Sequence, residues 1–371
     1  MMEIREIKAS EIVDFANQVA ASTSPVLPVT PWRAGSQAEN PDARPDDLLL
    51  IVAIGNAGQI AGYIGLLPFQ LSGNETERIS WNTCWWVAPG AGAGVSLSLF
   101  SRFLKVTGNR VAFSDMTEKT AGILRRLQGY HVASRTGMAV RFRHAYNKRI
   151  RTSRKAPRVL QVAAVTGIFR LADGILNTGR KKRTERWLRE HPAPCRITVS
   201  RELHDTHVDF AREHSKGDIT LPSIKRFNWW RDHPWLVPPD SYTRRIARRY
   251  YFSALAVHNE LFIPECTCND VLAGFAIISN RDGVLKTHYL YFRSDSEQAF
   301  YQSLLNYLIT IPGSHTLVSF HEGFAGFVEK QKFPAVHARK ATRYTALSLP
   351  LEETLENNTR FQDGDGDYIF T

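Results

Sequence analysis

A glycine-rich turn near residue 90 is the first stretch of this sequence whose residue types and spacing could do chemistry. Residues 85–100 read WWVAPGAGAGVSLSLF, an aromatic run followed by a proline, three alternating glycines and a helix-like run. A glycine turn that opens a helix presents free backbone N–H groups at the positive end of the helix dipole, and glycine lets an anion approach closely. The spacing Gly90-x-Gly92-x-Gly94 is too short for the dinucleotide fingerprint and lacks the Gly-Lys-Ser/Thr of a P-loop. Two alternatives stay open: a plain turn and a phosphate-binding loop. The motif alone favours the plain turn.

Two further groups of residues could contact a substrate. FNWWRDHPW, residues 227–235, brings together Trp229, Trp230 and His233. Aromatic-rich surfaces of this kind suit stacking on a sugar or a base, although tryptophan is equally a core residue. Glu322 follows His321 after a strand pattern in the second half, where an acceptor pocket or an ordinary helix cap could form.

The cysteines and the acidic end of the chain give no metal signature. The four cysteines are Cys84, Cys195, Cys266 and Cys268. They show no paired C-x-x-C spacing, so we expect reduced thiols in a cytoplasmic protein, with Cys84 packed in the core. DGDGD at 363–367 lacks the glycine at position six and the glutamate at position twelve of a calcium loop. We therefore expect no metal site and a solvated polar tail at the end of the chain.

The elements around these residues alternate between strand and helix patterns. The first half reads strand, helix, hairpin, strand, glycine turn, helix, short strand, helix and strand, and the second half repeats this order without residue identity. This order predicts an α/β (α+β) fold of two tandem domains, each a mixed, mostly antiparallel sheet flanked by helices. The predicted segments are a domain over 1–144, a basic helical insert over 145–194, a domain over 195–350 and a tail over 351–371.

Basic residues are concentrated in one segment. The net charge is +11, yet fifteen Lys/Arg and three Asp/Glu lie between Arg141 and His191, so the rest of the chain is nearly neutral. Apolar residues at helical spacing lie between two basic clusters here, and three alternatives stay open. The first is a solvated helix, and the second is peripheral contact with an anionic membrane surface through residues 148–189. The third, nucleic acid, is disfavoured by the neutral remainder and the missing motif. No apolar run is long enough to predict a spanning helix.

The order of elements around the glycine turn resembles the GNAT family of N-acyltransferases. The matching pieces are Trp86–Pro89, Gly90–Gly94, Val95–Lys105, Arg110–Ser114 and Thr117–Tyr130. The resemblance implies that the turn binds the pyrophosphate of acetyl-coenzyme A, a co-substrate, through backbone amides. The cofactor-binding residues would then be Trp86, Val87, Gly92, Ala93, Gly94, Val95 and Ser96. The sequence departs from the family pattern in having no Arg or Gln three places before Gly92 and a turn two or three residues shorter.

The resemblance also implies roles for two residues and for the second half. A tyrosine in this region of the family donates a proton to the leaving sulfur, which points to Tyr130; a buried ring closing the helix is the alternative. Asp115 could accept the proton of the amine or act as a helix N-terminal charge. The second half resembles tandem acyltransferases of polysaccharide and lipid-linked sugar pathways through the N-W-x-x-x-H-P pattern of residues 228–234. It has no glycine turn, so it would shape the acceptor site.

The function implied by this resemblance is transfer of an acetyl or other acyl group from acetyl-coenzyme A directly to an amino group. The acceptor would be an amino sugar or a nucleotide- or lipid-linked sugar in cell-surface polysaccharide synthesis, bound through Trp229, Trp230, His233 and Glu322. We expect a cytoplasmic enzyme with peripheral contact at the inner face of the membrane. Two alternatives stay open: a FemABX-like transferase that uses aminoacyl-tRNA, and a non-catalytic scaffold of the same shape on the membrane.

Overall fold

The computed structural model describes residues 2–71, 74–146, 163–215, 217–353, 355 and 359–370. Its strands, in chain order, are β1 (Glu3–Lys8), β2 (Leu48–Ile54), β3 (Ile60–Leu71), β4 (Asn74–Val87), β5 (Val111–Met116), β6 (Tyr130–Arg141), β7 (Arg196–Ser200), β8 (Asn259–Cys268), β9 (Val271–Arg281), β10 (Val284–Phe292), β11 (Thr316–Ser319) and β12 (His337–Ser348). Its helices are α1 (Ile12–Ala21), α2 (Pro31–Ala38), α3 (Ala93–Val106), α4 (Glu118–Arg126), α5 (Ala163–Glu190), α6 (Asp205–His214), α7 (Ile224–Asp232), α8 (Ser241–Arg249), α9 (Glu297–Thr310), α10 (Glu322–Lys330) and α11 (Leu349–Glu352).

The chain divides into two compact units that interleave along the sequence. Unit 1 comprises Met1–Arg135, Glu202–Val257 and Arg343–Thr371, and unit 2 comprises Thr136–Arg201 and His258–Thr342. This grouping differs from the sequential segments expected from the sequence, because residues 202–257 and 343–371 belong with the first half of the chain. Among the described residues, no helix is both long and apolar enough to cross a membrane.

The sheet of unit 1 has the order β1-β2-β3-β4-β5-β12, with β4 and β5 parallel and the other neighbours antiparallel. Both faces of this sheet are covered by helices. Successive residues of β2 are apolar and point to opposite faces, so each face receives its own set of core residues. Leu50 and Val52 join the core cluster that includes α1 and α2, whereas Ile51 and Ala53 join the cluster that includes α3 and α4. The mixed α/β layering expected from the sequence is thus present in this unit.

The sheet of unit 2 repeats this plan with the order β7-β8-β9-β10-β11-β6, in which β10 and β11 are the parallel pair. Helix α9 packs on it with residues buried around most of its circumference. Cys195 and Cys268 form a disulfide in this unit, so the expectation of four reduced thiols is wrong for these two residues. Cys84, in unit 1, is a free buried cysteine, as expected.

The internal duplication predicted from the order of elements is confirmed, but the closing strands are exchanged. Strand β12, from the end of the chain, pairs with β5 in unit 1 through Tyr344–Leu347. Met138–Arg141 of β6 pair with β11 in unit 2. The partner of each closing strand lies far away in the sequence, so the local pattern of either strand does not identify it.

The end of the chain is buried, and the prediction of a solvated tail is wrong for residues 361–370. Each aspartate of DGDGD has a partner in unit 1. Asp363 bonds Arg343 at 2.9 Å, Thr220 donates to Asp365 at 2.5 Å, and Asp367 lies 3.7 Å from the guanidinium of Arg33. Phe370 stacks on Trp235 with ring centroids 4.4 Å apart. A charged segment can be buried here because each carboxylate meets a cation or a hydroxyl.

Candidate active site at a splay between two strands

Strands β4 and β5 separate part-way along their length. They pair over three residues, Ser80–Asn82 with Val111–Phe113. Beyond this point β4 continues to Val87 paired with β3, which is its one strand partner there among the described residues, while β5 continues to Met116 beside β12. A V-shaped opening therefore lies between residues 83–87 and 114–116. Among the described residues, this edge of β4 pairs with no second strand beyond Asn82, so it can pair with an extended ligand.

A β-bulge marks the point where β4 leaves β5. The register between β3 and β4 shifts there, because Gly65 pairs with Cys84 and Leu66 with Asn82, leaving Thr83 as the extra residue. A Cβ on Gly65 would lie 2.5 Å from Oγ1 of Thr83 and 2.6 Å from Sγ of Cys84, so only glycine permits this close approach. Bulges re-aim backbone groups, and this one does so at the apex of the opening.

The glycine turn lies at the open end of β4. Gly90 and Gly92 have φ of 84° and 82°, and Gly92 is the N-cap of α3 with no side-chain capping bond. The first helical turn is Ala93–Ser96, and it contains no acidic residue. A Cβ placed on Gly90, Gly92 or Gly94 would meet no heavy atom within 4 Å, so the turn has an open face. This arrangement can bind an anion through backbone N–H groups at the positive end of α3.

Trp86 and Val87 connect the opening to this turn. They are the last residues of β4, paired with Tyr63 and Gly62 of β3, and Trp86 stacks on Tyr63 with centroids 5.4 Å apart. A Cβ on Gly62 would lie 2.9 Å from Leu99 of α3, so glycine at this position lets the helix pack close to the sheet. The predicted cofactor residues 86–87 and 92–96 therefore form one continuous strand end, turn and helix start.

The matching region of unit 2 lacks the features of an anion site. Strands β10 and β11 also pair over three residues, Val284–Lys286 with Thr316–Val318. The chain then enters α9 through a short 3-10 turn, Ser294–Ser296, that carries Asp295 and is followed by Glu297. Negative charge at a helix N-terminus opposes anion binding. Within the described residues, the open glycine face is a feature of unit 1.

Tyr130 packs against β5 beside the opening, and its phenol is a candidate proton donor. Its ring packs between Phe100 of α3 and Phe113 of β5, with centroid distances of 6.3 and 6.1 Å. Its hydroxyl is buried and has no hydrogen-bond partner among the described residues. Burial raises the pKa of Tyr130 to about 12, so the phenol is protonated at neutral pH. A buried donor without a partner is costly, which favours a role toward a ligand.

Asp115 and Asp367 are the two carboxylates near the apex. Asp115 is exposed on β5 and lies 4.0 Å from Nε of Arg343. Asp367 is buried and accepts from Ser114, the first β5 residue beyond the paired region, at 3.4 Å. The neighbouring Gly366 approaches Trp81 of β4, since a Cβ there would lie 3.0 Å from the indole. Burial raises the pKa of Asp367 to about 6, so this carboxylate is ionised at neutral pH and can take up a proton just below it.

Asp367 is the residue that sequence analysis missed. The acidic composition of DGDGD predicted solvation, and the partners of its carboxylates lie far away in the sequence. The available signal was the apolar ending YIF directly after the aspartates, which predicts that the segment docks against a core.

The aromatic residues of FNWWRDHPW are packing residues of unit 1. Trp229 and Trp230 are 3% and 2% exposed, and Nε1 of Trp229 donates to the backbone of Ser36 at 2.6 Å. His233 ends α7 with its backbone N–H bonded to the carbonyl of Trp229. The two indoles therefore present no exposed face for stacking, and core packing is the alternative that the sequence left open for them.

The predicted residue Glu322 belongs to unit 2. It is the exposed first residue of α10, and the ring of the preceding His321 caps this helix by accepting from the backbone N–H of Phe324 at 3.2 Å. This pair forms a helix start, which was the alternative weighed for it.

No known family model and no curated protein matches the sequence. Among solved structures, a tandem GNAT protein from the clavulanic acid biosynthesis pathway is 11% identical, with 94% of this chain and 98% of that chain covered and a TM-score of 0.48. A GCN5-related N-acetyltransferase from Kribbella flavida is 14% identical, with 94% and 71% covered and a TM-score of 0.47. N-myristoyltransferase from Saccharomyces cerevisiae with bound myristoyl-CoA is 8% identical, with 94% and 79% covered and a TM-score of 0.45. At these identities and TM-scores, the similarity does not assign a function to this chain.

Proposed function

We propose that this chain is an N-acyltransferase that takes an acyl group from an acyl-coenzyme A thioester and transfers it to an amine. The observation that carries the proposal is the splay of β4 from β5, which opens directly onto the uncapped glycine start of α3. A thioester donor of this class has an extended arm with amides and a pyrophosphate. The free edge of β4 suits the arm, and the helix start suits the phosphates.

The residues at the apex supply the chemistry of transfer. The amine attacks the thioester carbonyl to form a C–N bond, and we assign stabilisation of the oxyanion to a backbone N–H of the Thr83 bulge. The carboxylate of Asp367 takes the proton of the amine, with the exposed Asp115 as the alternative acceptor. When the C–S bond breaks, the protonated hydroxyl of Tyr130 donates to the leaving thiolate.

The finer proposal names acetyl as the acyl group and an amino sugar or a lipid-linked sugar as the acceptor. Its support is the resemblance of residues 227–235 to tandem acyltransferases of sugar pathways. Because Trp229 and Trp230 are buried, the contacts with a sugar would come from other residues of the opening.

We also infer that α5 contacts an anionic membrane surface, which is the candidate non-catalytic role of this chain. Ile168, Leu171 and Ile175 lie on one helical stripe and are 67–68% exposed. Six basic residues follow on the same helix: Arg180, Lys181, Lys182, Arg183, Arg186 and Arg189. An exposed apolar stripe beside basic residues is the pattern of an interfacial helix. Sedimentation with anionic vesicles tests whether α5 binds a membrane surface. The other part of the expected membrane segment, residues 148–162, lies outside the described residues.

Calorimetric titration with acetyl-coenzyme A tests the acyltransferase proposal through Gly94. This residue lies in the first turn of α3 with open space around it, so a side chain fits. Gly94→Asp places a negative charge that favours the helix start but repels phosphate. We expect micromolar binding to the unmodified chain and at least about tenfold weaker binding to the variant, with equal or higher melting temperature.

Gly94→Asn is the matched control, because it adds the same volume without charge and should retain most of the affinity. Equal binding by Gly94→Asp and Gly94→Asn, or no binding of acetyl-coenzyme A to the unmodified chain at millimolar concentration, would overturn the proposed function.

A further inference from the structure

Three of the four cysteines come together in unit 2, away from the residues used above. The Sγ atoms of Cys195, Cys266 and Cys268 all lie within 4.8 Å of one another. Cys195 directly precedes β7, and the other two lie on β8, which pairs antiparallel with β7. Cys195 and Cys268 are 73 residues apart in sequence, with Cα atoms 4.5 Å apart, and form the disulfide.

The third sulfur belongs to Cys266, which packs in the core of unit 2 beside the disulfide. Cys266 is fully buried and has a free thiol. A β-bulge between Cys266 and Thr267 breaks the register of β8 with β9 at this point. Such a bulge re-aims neighbouring side chains, and here the sulfurs converge from two strands. The disulfide uses two of these sulfurs, and the thiol of Cys266 adds a third soft ligand within 4.8 Å of both.

We propose that, in its reduced form, this cluster binds one thiophilic d10 cation, Zn²⁺ or Cu⁺, through the thiolates of Cys195, Cys266 and Cys268. Soft thiolate ligands select these cations over hard ones. Three sulfurs complete the trigonal coordination of Cu⁺. For Zn²⁺, which prefers four ligands, the half-buried Cys268 leaves one position accessible to water or an external ligand.

Binding is coupled to the redox state of the cluster. Two electrons and two protons from a dithiol reductant convert the Cys195–Cys268 disulfide into two thiols, and the reductant becomes a disulfide. The cation then displaces the three thiol protons. In the oxidised form two of the three ligands are held in the S–S bond, so the same residues either form the disulfide or bind the cation.

Native mass spectrometry of the full chain tests this inference. The protein is reduced with a phosphine, freed of reductant without oxygen, and mixed with Zn²⁺ or, separately, with Cu⁺. We expect one bound cation per reduced chain and none on the oxidised chain. Co²⁺ serves as a spectroscopic probe, because thiolate coordination produces a charge-transfer absorption in the near ultraviolet.

The variants separate this site from ordinary thiol chemistry. Cys266→Ser should keep the disulfide of the oxidised form and lose the cation of the reduced form, while Cys84→Ser, which removes the other free buried thiol, should keep both. Cys268→Ser, at a less buried position, provides a second loss variant if Cys266→Ser does not fold. Binding by Cys266→Ser or Cys268→Ser that equals the unmodified chain, or no stoichiometric cation on the reduced unmodified chain, would overturn the inference.

Discussion

At the residue scale, Tyr130 combines burial, protonation and the lack of a partner. The GNAT resemblance pointed to this tyrosine, but the sequence left a plain core ring as the alternative. The position of its hydroxyl depends on Phe100 and Phe113, which come from two other elements. Such a tertiary environment cannot be inferred from the local pattern.

Tyr130→Phe removes the proposed donor and keeps the ring packing. We expect the turnover rate to fall about 100-fold, because the thiolate must leave without a proton. The KM for the acyl donor should change little, and the melting temperature should hold or rise, because a buried hydroxyl without a partner is removed. Steady-state release of free thiol measures the rate. An unchanged turnover rate would remove Tyr130 from the chemistry.

The proposed role of Asp367 as proton acceptor predicts a pH dependence of acyl transfer. Its carboxyl has a pKa of about 6, and only the ionised form accepts a proton, so activity is present above this pH and lost as the pH falls through it. We expect Asp367→Asn to remove this acid limb of kcat/KM and to lower the plateau. Asp363→Asn is the matched control, since Asp363 is buried in the same segment but bonds Arg343. An acid limb that persists in Asp367→Asn contradicts the assignment.

At the element scale, periodicity located most strands and helices, including the cap of α4. The piece Thr117–Tyr130, identified from the sequence, begins at this cap, and the side chain of Thr117 accepts from the backbone N–H of Thr120. The acidic end of the chain was the failure, because the cations that pair with its carboxylates come from other elements, as Arg33 on α2 does. The local composition predicts that burying these carboxylates is unfavourable. It does not predict the cations from distant elements that offset this cost.

Helix α5 permits a direct test of its exposed apolar stripe. Leu171→Asp replaces a side chain that is 67% exposed, so folding should be unaffected. We expect binding to vesicles that contain phosphatidylserine to weaken about tenfold, because a leucine that inserts into the membrane interface is replaced by a negative charge. Val271→Asp, an equally large charge change at an exposed residue on β9, should bind as the unmodified chain does. Equal loss in both variants would indicate a general charge effect and contradict a specific surface on α5.

At the scale of the whole molecule, the exchange of β6 and β12 determines which pieces can fold. The sequence revealed the duplication, because both halves carry the same order of elements. It could not reveal the exchange, because the partner of each closing strand is determined by contacts between residues that are far apart in the sequence. Unit 1 needs residues 202–257 and 343–371 as well as the first 135 residues.

A chain split between residues 146 and 147 tests this dependence. We expect the fragment 1–146 alone to be unfolded, because it lacks β12 beside β5 and the buried segment 361–370. Co-expression with the fragment 147–371 should restore a cooperative thermal transition. Dispersed amide signals in an NMR spectrum of 1–146 alone would contradict this expectation.

Because of the strand exchange, unit 1 cannot be completed until the end of the chain has been translated. During translation, the glycine turn leaves the ribosome early, but the hydrogen bond from Ser114 to Asp367 joins positions 253 residues apart. Until the last strand emerges, the edge of β5 has no partner, and such an edge can pair wrongly with another nascent chain. Ribosomes that stop before residue 343 therefore release chains that have the proposed donor site but lack the carboxylate of Asp367. Under the proposed function, only chains that include this late segment would be active.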